Sequence, residues 1–365
     1  MGNPTAGRTT TTTTTTTPAT ESHDGAPMML GAKIAAVVAP PTARTLVRVY
    51  VVRHGETHWN QRGRIQGGGY DVPLNDNGRD QAVRAARALR DIPLDVVASS
   101  SLSRAKETAD IVWEQQQQQR QQQHRGSGSG CTKTNTKKPL RIVDPGFNEM
   151  RFGVFEGLRY KRRTHGNNNN TGESSAPTDD EPGPESSAML DRFLVEKKKV
   201  LEDPGYRFPS RDAGGGGTTG ASSSAVDADE TEAYKVDDEF GIGESHGMVE
   251  DRSIGGLSRA IGAVLRRRED QPGGGAGGDD ETAESAGTKH IAIVSHGRTN
   301  KVLLSLMMTG DVRTGYKGVH QSNANISVLD YTYDGPENGG DDADRLPSSW
   351  KGVWTARLLN YVGHI

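Results

Sequence analysis

The chain has 365 residues and a formal net charge of −3, and 32% of its residues are apolar. The small net charge gives no reason to expect nucleic acid or a membrane surface as the main partner. No apolar run approaches the roughly 18 residues that a membrane span requires. Cys131 is the single cysteine, which excludes an intrachain disulfide and a cysteine-based metal cluster. We expect a cytoplasmic protein, although the Thr-rich N-terminal segment leaves organellar targeting open.

Polar repeats, rather than a weak core, account for the low apolar share. Five segments are rich in Thr, Gln, Asn, Ser or Gly, and such sequence cannot bury enough apolar surface to offset the entropy of ordering. They predict a disordered N-terminal tail over 1–45 and insertions at about 115–138, 161–187, 210–239 and 270–287. The remainder of 46–365 is then a single domain of ordinary size.

Between these segments, apolar patterns alternate between strand and helix types. In chain order they predict a strand at 46–52, a helix at 75–90, a strand at 95–98, a helix at 103–113, a strand at 140–143, helices at 189–201 and 248–268, a strand at 290–294, a helix at 298–308, and closing or edge strands at 325–331 and 353–360. This alternation predicts an α/β fold, a three-layer α/β/α sandwich around a mostly parallel central sheet.

Two of the predicted strands run directly into a His-Gly pair, His54-Gly55 and His296-Gly297. Ligands bind beyond the carboxyl ends of the strands in open α/β sheets, so both imidazoles are expected to face one crevice. Glycine after each histidine permits a sharp turn and lets a ligand approach the main-chain amides. A single histidine at a strand end is more often structural, but two in the same context favour a binding site.

Cations and a carboxyl group follow strands at the same predicted edge. Arg53 precedes His54, and Arg104 follows the second predicted strand. Guanidinium groups bind phosphate through paired, charge-assisted hydrogen bonds. Glu149 follows the third predicted strand in sequence rich in Gly and aromatics, where a partly shielded carboxyl can deliver a proton to a leaving alkoxide. Alone, Arg104 is more typical of a solvated helix start, and Glu149 could be a surface loop residue, but together these residues indicate phosphoryl transfer.

Short motifs surround these residues in chain order. They are RHGET at 53–57 with Trp59-Asn60, GRIQG at 63–67, DVPLNDNG at 71–78, SSSLSRA at 99–105, EMRFGVFEG at 149–157, GES at 243–245, SHG at 295–297 and NIS at 325–327. In this order they resemble the signature of the histidine phosphatase (phosphoglycerate mutase-like) superfamily. The resemblance covers essentially all of the sequence that can pack and none of the insertions.

The resemblance implies chemical roles for three of the matched residues. His54 would be the nucleophile that becomes phosphohistidine, and Glu149 would be the general acid and then the general base. His296 would bind and stabilise the phosphoryl oxygens. His54 must be neutral to attack, whereas His296 is more useful as a cation, so the two histidines are expected in opposite protonation states.

Binding roles follow from the resemblance in the same way. Arg53 and Arg104 would bind the phosphoryl oxygens and stabilise the charge that gathers on them in the transition state. Asn60 would orient the phosphoryl group. The remaining matched substrate-binding residues are Gln66, Gly67 and Gly297. No metal is needed, because the arginine pair supplies the positive charge.

The motif ending in Phe155-Glu156-Gly157 looks more like the phosphatase branch than the mutases, whose specificity segment is not recognisable in 161–187. The implied function is hydrolysis of phosphomonoesters without a cofactor, on a small phosphorylated metabolite or a phosphoprotein. Two alternatives stay open. One is a phosphoglycerate mutase that depends on 2,3-bisphosphoglycerate, and the other is a non-catalytic phospholigand-binding or scaffold protein. A homodimer is also left open.

Overall fold

The computed structural model describes residues 33–42, 45–126, 138–159, 184–210, 234–236, 242–266, 288–313, 318–332 and 353–365. The contacts separate Met1–Leu30 from Gly31–Ile365, and every described residue belongs to the second unit. The described strands are β1 (Thr45–Arg53), β2 (Val96–Ser99), β3 (Leu140–Val143), β4 (Lys289–Ser295), β5 (Ile326–Thr332) and β6 (Val353–Tyr361). The described helices are α1 (Ile34–Val37), α2 (His58–Gln61), α3 (Asp76–Ala88), α4 (Ser103–Gly126), α5 (Pro184–Glu202), α6 (His246–Arg266) and α7 (Gly297–Thr309).

The described strands form one mixed sheet in the order β3-β2-β4-β1-β5-β6. The four strands from β3 to β1 are parallel to their neighbours, and β5 and β6 are added antiparallel. Parallel strands are covered on both faces, which explains the near-continuous β-branched run in β1. The predicted α/β fold with a mostly parallel sheet is confirmed.

Two apolar clusters cover the two faces of this sheet. Successive side chains of a strand point to opposite faces, so Tyr50 and Val52 belong to one cluster and Val49 and Val51 to the other. The first cluster includes side chains of α1, α3 and α4, and the second includes side chains of α6 and α7. The helices therefore form the two outer layers of the predicted sandwich. No helix in the described ranges is long and apolar enough to cross a bilayer.

Residues 33–42 differ from the predicted disordered tail. Ile34 of α1 is 1% exposed, Val38 is 6% exposed, and both belong to the apolar cluster on the α3 and α4 side of the sheet. Arg48 of β1 also donates to the carbonyl of Ala39 at 2.9 Å. This short apolar stretch has a buried surface to pack against, which the polar composition of the preceding tail obscures.

The glutamine run also differs from its predicted role as an insertion, because α4 continues through the whole run and ends at Gly126. Gln116 is 2% exposed, and its Nε2 donates to the carbonyl of Leu89 at the end of α3 at 2.8 Å. Arg120 donates to the carbonyl of Leu94 at 2.8 Å. Carbonyls at a helix C-terminus lack partners within the helix, and the side chain of Gln116 donates to one such carbonyl of α3, that of Leu89.

A third difference lies at residues 234–236, inside the predicted insertion at 210–239. The amide of Asp71 donates to the carbonyl of Tyr234 at 2.8 Å, and the amide of Val236 donates to the carbonyl of Gly69 at 3.1 Å. This short segment therefore pairs with the loop that follows α2. Of the remaining parts of the predicted insertions, the structure describes only the end residues Lys138 and Ser210 and the start of α5, which begins at Pro184.

Candidate active site

The carboxyl ends of β1 and β4 place His54 and His296 side by side. The two strands are parallel neighbours with Arg53 opposite Ser295, and a histidine follows each of these residues. The ring centroids of His54 and His296 are 5.0 Å apart. His54 is 2% exposed and His296 is fully buried. The structure therefore brings the two imidazoles together at one edge of the sheet.

The ring of His54 is neutral and has one unprotonated nitrogen. Its Nδ1 lies 2.6 Å from the carbonyl oxygen of Gly55, and because a carbonyl only accepts, Nδ1 carries the proton. Burial is the largest cause that lowers the pKa of His54 well below its usual value, followed by the positive charges of Arg104 and Arg53. The lone pair on Nε2 is therefore available, as a nucleophile requires.

Arg104 fixes the protonation state of His296. Its Nε donates to Nδ1 of His296 at 3.2 Å, and since a guanidinium only donates, Nδ1 must accept. The ring proton then lies on Nε2, which is 2.8 Å from Oγ of Ser100. Burial, followed by the charge of Arg104, lowers the pKa of His296 well below its usual value. His296 is thus neutral in this structure and not the expected cation.

Arg104 is completely buried and is held at three points. Besides His296, it donates to the carbonyl of Tyr70 at 2.9 Å and to the carbonyl of Gly67 at 3.1 Å. Burial lowers its pKa to about 10, so the guanidinium keeps its charge at neutral pH. Gly67, which the motifs assign to substrate binding, contributes here by orienting Arg104 through its carbonyl.

Ser100 and Asn148 support this arrangement, although the sequence pattern did not single them out. Oγ of Ser100 donates to Oδ1 of Asn148 at 2.8 Å, and the carbonyl of Asn148 accepts from Oγ1 of Thr299 at 2.6 Å. The position of His296 therefore depends on a chain of hydrogen bonds that runs from β2 to the start of α7. The available signal was their place in the matched motifs, next to Arg104 and Glu149.

Glu149 lies against the first turn of α7. Its Oε2 accepts from the amide of Arg298 at 3.1 Å, and its Oε1 accepts from the amides of Thr299 at 3.2 Å and Met150 at 2.9 Å. Amides at a helix N-terminus lack partners within the helix and carry a partial positive charge, which suits a carboxylate. These contacts hold Glu149 next to the histidine that precedes α7.

Gly297 lies between the side chains of Arg53 and Glu149. A Cβ atom on Gly297 would be 3.6 Å from Nε of Arg53 and 3.9 Å from Oε2 of Glu149. Arg53 is also anchored by a hydrogen bond from Nη1 to the carbonyl of Gln321 at 2.6 Å. Arg53, Glu149 and Gly297 therefore share one side of the pair of histidines.

Asn60 and Gln66 form a separate polar pair after β1. Nδ2 of Asn60 donates to Oε1 of Gln66 at 3.1 Å, and Oγ1 of Thr57 donates to the same oxygen at 2.8 Å. Oδ1 of Asn60 accepts from Nδ2 of Asn323 at 3.1 Å. Nε2 of Gln66 is buried and has no hydrogen-bond partner among the described residues. This donor is the group of the pair that is available to a ligand.

Glu156 is a buried carboxyl group that the sequence pattern did not select, although it is the second glutamate of the matched motif at 149–157. Its Oε2 accepts from the amide of Gly69 at 3.0 Å, and its Oε1 accepts from the amide of Phe152 at 2.8 Å. A Cβ atom on Gly67 would come within 2.0 Å of Oε1. The loop that orients Arg104 therefore needs glycine in order to fit around Glu156.

We expect Glu156 to make the stability of the fold depend on pH. Burial raises its pKa from 4.5 to about 7, although the hydrogen bonds from Phe152 and Gly69 oppose the shift. Between these values the folded state binds more protons than the unfolded state, so stability is lost as pH rises. The wild-type free energy of unfolding should fall by up to about 3 kcal/mol between pH 4.5 and 7, relative to Glu156→Gln. Thermal unfolding of both proteins from pH 4 to pH 8 measures this, and parallel curves would contradict it.

In the part of the chain that the structure describes, no group of three or more His, Cys, Asp or Glu side chains is arranged to hold a metal ion. The positive charge near His54 comes from Arg53 and Arg104. A buried, neutral imidazole with two guanidinium groups nearby can accept a phosphoryl group, because the cations offset the negative oxygens of that group.

Comparison with known proteins identifies relatives of the chain. Fructose-2,6-bisphosphatase TIGAR B of Danio rerio is 32% identical over 164 residues, which are 44% of this chain and 57% of that protein. The probable phosphoglycerate mutase GpmB of Salmonella choleraesuis is 43% identical over 67 residues, which are 18% of this chain and 31% of that protein. In both cases the match spans less than two thirds of the relative's own length.

One similar solved structure is a mycobacterial glucosyl-3-phosphoglycerate phosphatase, with a TM-score of 0.48 at 18% identity over 87% of this chain and 99% of that chain.

The family model of the histidine phosphatase superfamily (branch 1) matches residues 49–125 and 278–338. These two segments contain His54, Arg104 and His296, which the fold brings together. The chain therefore belongs to the histidine phosphatase superfamily.

Proposed function

We propose that the chain hydrolyses phosphomonoesters and that His54 carries the phosphoryl group as a covalent intermediate. The observation that best supports this is the hydrogen bond from Nδ1 of His54 to the carbonyl of Gly55, since it leaves the lone pair on Nε2. Burial, followed by the charges of Arg104 and Arg53, lowers the pKa of this ring and keeps it neutral. Those charges would also attract the dianionic phosphoryl group of a substrate.

In the first step, Nε2 of His54 attacks phosphorus and the bond to the leaving oxygen breaks. Glu149 gives that oxygen a proton, so the product leaves as an alcohol. In the second step, water attacks the phosphohistidine and passes a proton to Glu149, and phosphate is released. This returns His54 to its neutral form and Glu149 to its protonated form. Arg53 and Arg104 neutralise the oxygens in both transition states.

His296 can take part once a phosphoryl group is bound. Its pKa is lowered in part by the charge of Arg104, and the negative charge of a phosphoryl group would offset that effect. We propose that Nδ1 of His296 then gains a proton, which ends its hydrogen bond from Nε of Arg104, and that both groups donate to phosphoryl oxygens instead. Nε2 of Gln66 would complete the set of donors, oriented by the hydrogen bond from Nδ2 of Asn60 to Oε1 of Gln66.

A phosphoglycerate mutase is the second candidate, because the relative GpmB bears that name whereas TIGAR B is named as a phosphatase. The residues at His54 serve either reaction, since both begin with transfer to histidine. Phosphate release from a panel of phosphorylated metabolites should be compared with isomerisation of 3-phosphoglycerate in the presence of 2,3-bisphosphoglycerate. Isomerisation faster than release would overturn the choice of a phosphatase.

Trapping of the intermediate tests the chemistry directly. Rapid mixing with radiolabelled substrate, followed by denaturation, is expected to leave label on the peptide that contains His54. A phosphorus–nitrogen bond is lost in acid and survives in alkali, which distinguishes phosphohistidine from a phosphoserine ester. Label that is stable in acid, or that lies on another peptide, would contradict the proposed mechanism.

A further inference from the structure

Three cationic side chains that the proposed mechanism does not use lie near one another: Lys197 of α5 and Arg298 and Lys301 of α7. They are called here the α5–α7 cation cluster. The amide of Arg298 donates to Glu149, which fixes the first turn of α7 at the site. Lys301 lies three residues further along the same face of the helix. Helical side chains point back towards the N-terminus, so the ammonium of Lys301 is directed to this turn.

An aromatic cluster brings α5 to the same place. Phe193 of α5 packs edge-on against Phe152, with ring centroids 6.1 Å apart and an interplanar angle of 87°. The guanidinium carbon of Arg298 lies 5.7 Å from the centroid of the Phe152 ring. Lys197 follows Phe193 by four residues and therefore shares its face of α5. Lys197 and Arg298 thus approach each other across Phe152.

The charges of these residues act on one another. Burial, followed by the charges of Arg298, Lys197 and Arg53, lowers the pKa of Lys301 to about 8, while Glu149 opposes the shift. Burial and the charge of Arg298 also lower the pKa of Lys197. Arg298 directly follows Gly297, where a Cβ atom would be 3.6 Å from Nε of Arg53, so the cluster adjoins the residues around His54. Like charges held together in a partly buried place repel, and a bound anion relieves that repulsion.

Lys197 is the member of the cluster whose ammonium group is available to a ligand. It is partly buried, and it forms no ion pair or hydrogen bond with the residues that the structure describes. Its neighbours on α5 differ, since Lys198 is exposed and pairs with Glu202 at 3.7 Å, and Lys199 pairs with Glu196 at 2.9 Å. A partly buried ammonium group loses hydration, and an anionic ligand can replace it.

We propose that the α5–α7 cation cluster binds a second anionic group of the substrate, while the transferred phosphoryl group lies at His54. The second group is a carboxylate or another phosphoryl group, both of which pair with ammonium and guanidinium groups. This inference rests on the proposed function and narrows it. The preferred substrates are phosphomonoesters with a second acidic group, and esters of simple alcohols bind more weakly.

Two matched pairs of ligands test the inference. Glycerol 3-phosphate and 3-phosphoglycerate differ in one carboxylate, and fructose 6-phosphate and fructose 1,6-bisphosphate differ in one phosphoryl group. Binding is measured by calorimetry on the His54→Ala protein, which cannot turn the ligands over. The doubly acidic member of at least one pair should bind about tenfold more tightly or better, as expected for charge-assisted hydrogen bonds. The pair that shows the effect identifies the second group.

Substitutions in the same background assign the effect to the cluster. Lys197→Met and Lys301→Met should each reduce the preference for the doubly acidic ligand about tenfold, with glycerol 3-phosphate binding kept as proof of folding. Lys198→Met is the matched control on α5 and should keep the full preference.

Equal affinities within both pairs, no binding of either doubly acidic ligand, or a preference unchanged by Lys197→Met would each overturn the inference. Failure of the proposed function has a different sign: the wild type and the His54→Ala protein would hydrolyse phosphomonoesters at the same rate.

Discussion

Turnover of p-nitrophenyl phosphate is expected to fall by about ten-thousandfold or more when His54 is replaced by alanine. The substitution removes Nε2, which is the nitrogen that attacks phosphorus in the proposed reaction. His296 cannot take its place, because its Nδ1 accepts from Arg104 and its Nε2 contacts Ser100. Steady-state release of p-nitrophenolate by the purified full chain measures the effect.

His320→Ala is the control for this experiment. The side chain of His320 is exposed, and its backbone carbonyl, not its ring, accepts a hydrogen bond from Gln321. We expect this variant to keep the wild-type rate. Unfolding temperatures of both variants should stay close to that of the wild type, which separates lost chemistry from lost structure. Release at the uncatalysed background rate by both the wild type and His54→Ala would favour a non-catalytic scaffold over an enzyme.

The second large effect is expected from Glu149→Gln, and it should depend on the leaving group. Phosphorylation of His54 by glycerol 3-phosphate should slow by about a hundredfold to ten-thousandfold, because an alkoxide needs a proton to leave. The same step with p-nitrophenyl phosphate should slow much less, since p-nitrophenolate leaves without a proton. The measurement is single-turnover formation of the phosphoenzyme, because its later hydrolysis is common to both substrates.

An equal loss with both substrates would contradict the assignment of Glu149 as the proton donor. Such a result would instead indicate a role in holding the first turn of α7, where Glu149 accepts from the amides of Arg298 and Thr299. Glutamine keeps one acceptor oxygen for these amides but places an amino group near the other. The unfolding temperature of the variant therefore has to be measured beside its kinetics.

The buried strands were the most predictable part of the fold. A strand that is covered on both faces has apolar residues at successive positions, and this pattern locates β1 and β4 to within one residue at each end. Parallel strands then bring their carboxyl ends to one edge, which predicts that His54 and His296 lie close together. The positions of both histidines of the candidate site thus follow from short-range sequence patterns.

The supporting contacts could not be predicted in the same way. Ser100, Asn148 and Glu156 act through hydrogen bonds between loops, and no periodicity describes the path of a loop. The neutral state of His296 depends on its burial and on the arginine that faces Nδ1 of its ring, and both are features of the packed structure. Sequence patterns locate the reacting groups, whereas the groups that orient them depend on the complete fold.

Composition was a poor guide where a polar segment has a partner. Glutamine forms helices readily, and a helix that has already begun extends without a further nucleation cost. The first glutamines therefore continue α4, and Gln116 reaches the carbonyl of Leu89. The repeat suggests disorder because its composition says nothing about the carbonyl at the end of α3 that Gln116 contacts.

Because part of the glutamine run makes buried contacts, the effect of adding glutamines depends on whether they are inserted before or after Arg120. Gln116 and Arg120 occupy one face of α4, and each residue inserted before Arg120 would rotate its side chain by about 100° around the helix axis, away from Leu94. Residues added after Arg120 extend the helix into solvent, where Gln121 and Gln122 are already exposed. Changes in the number of glutamines should therefore destabilise the fold when they fall before Arg120 and have little effect on stability when they fall after it.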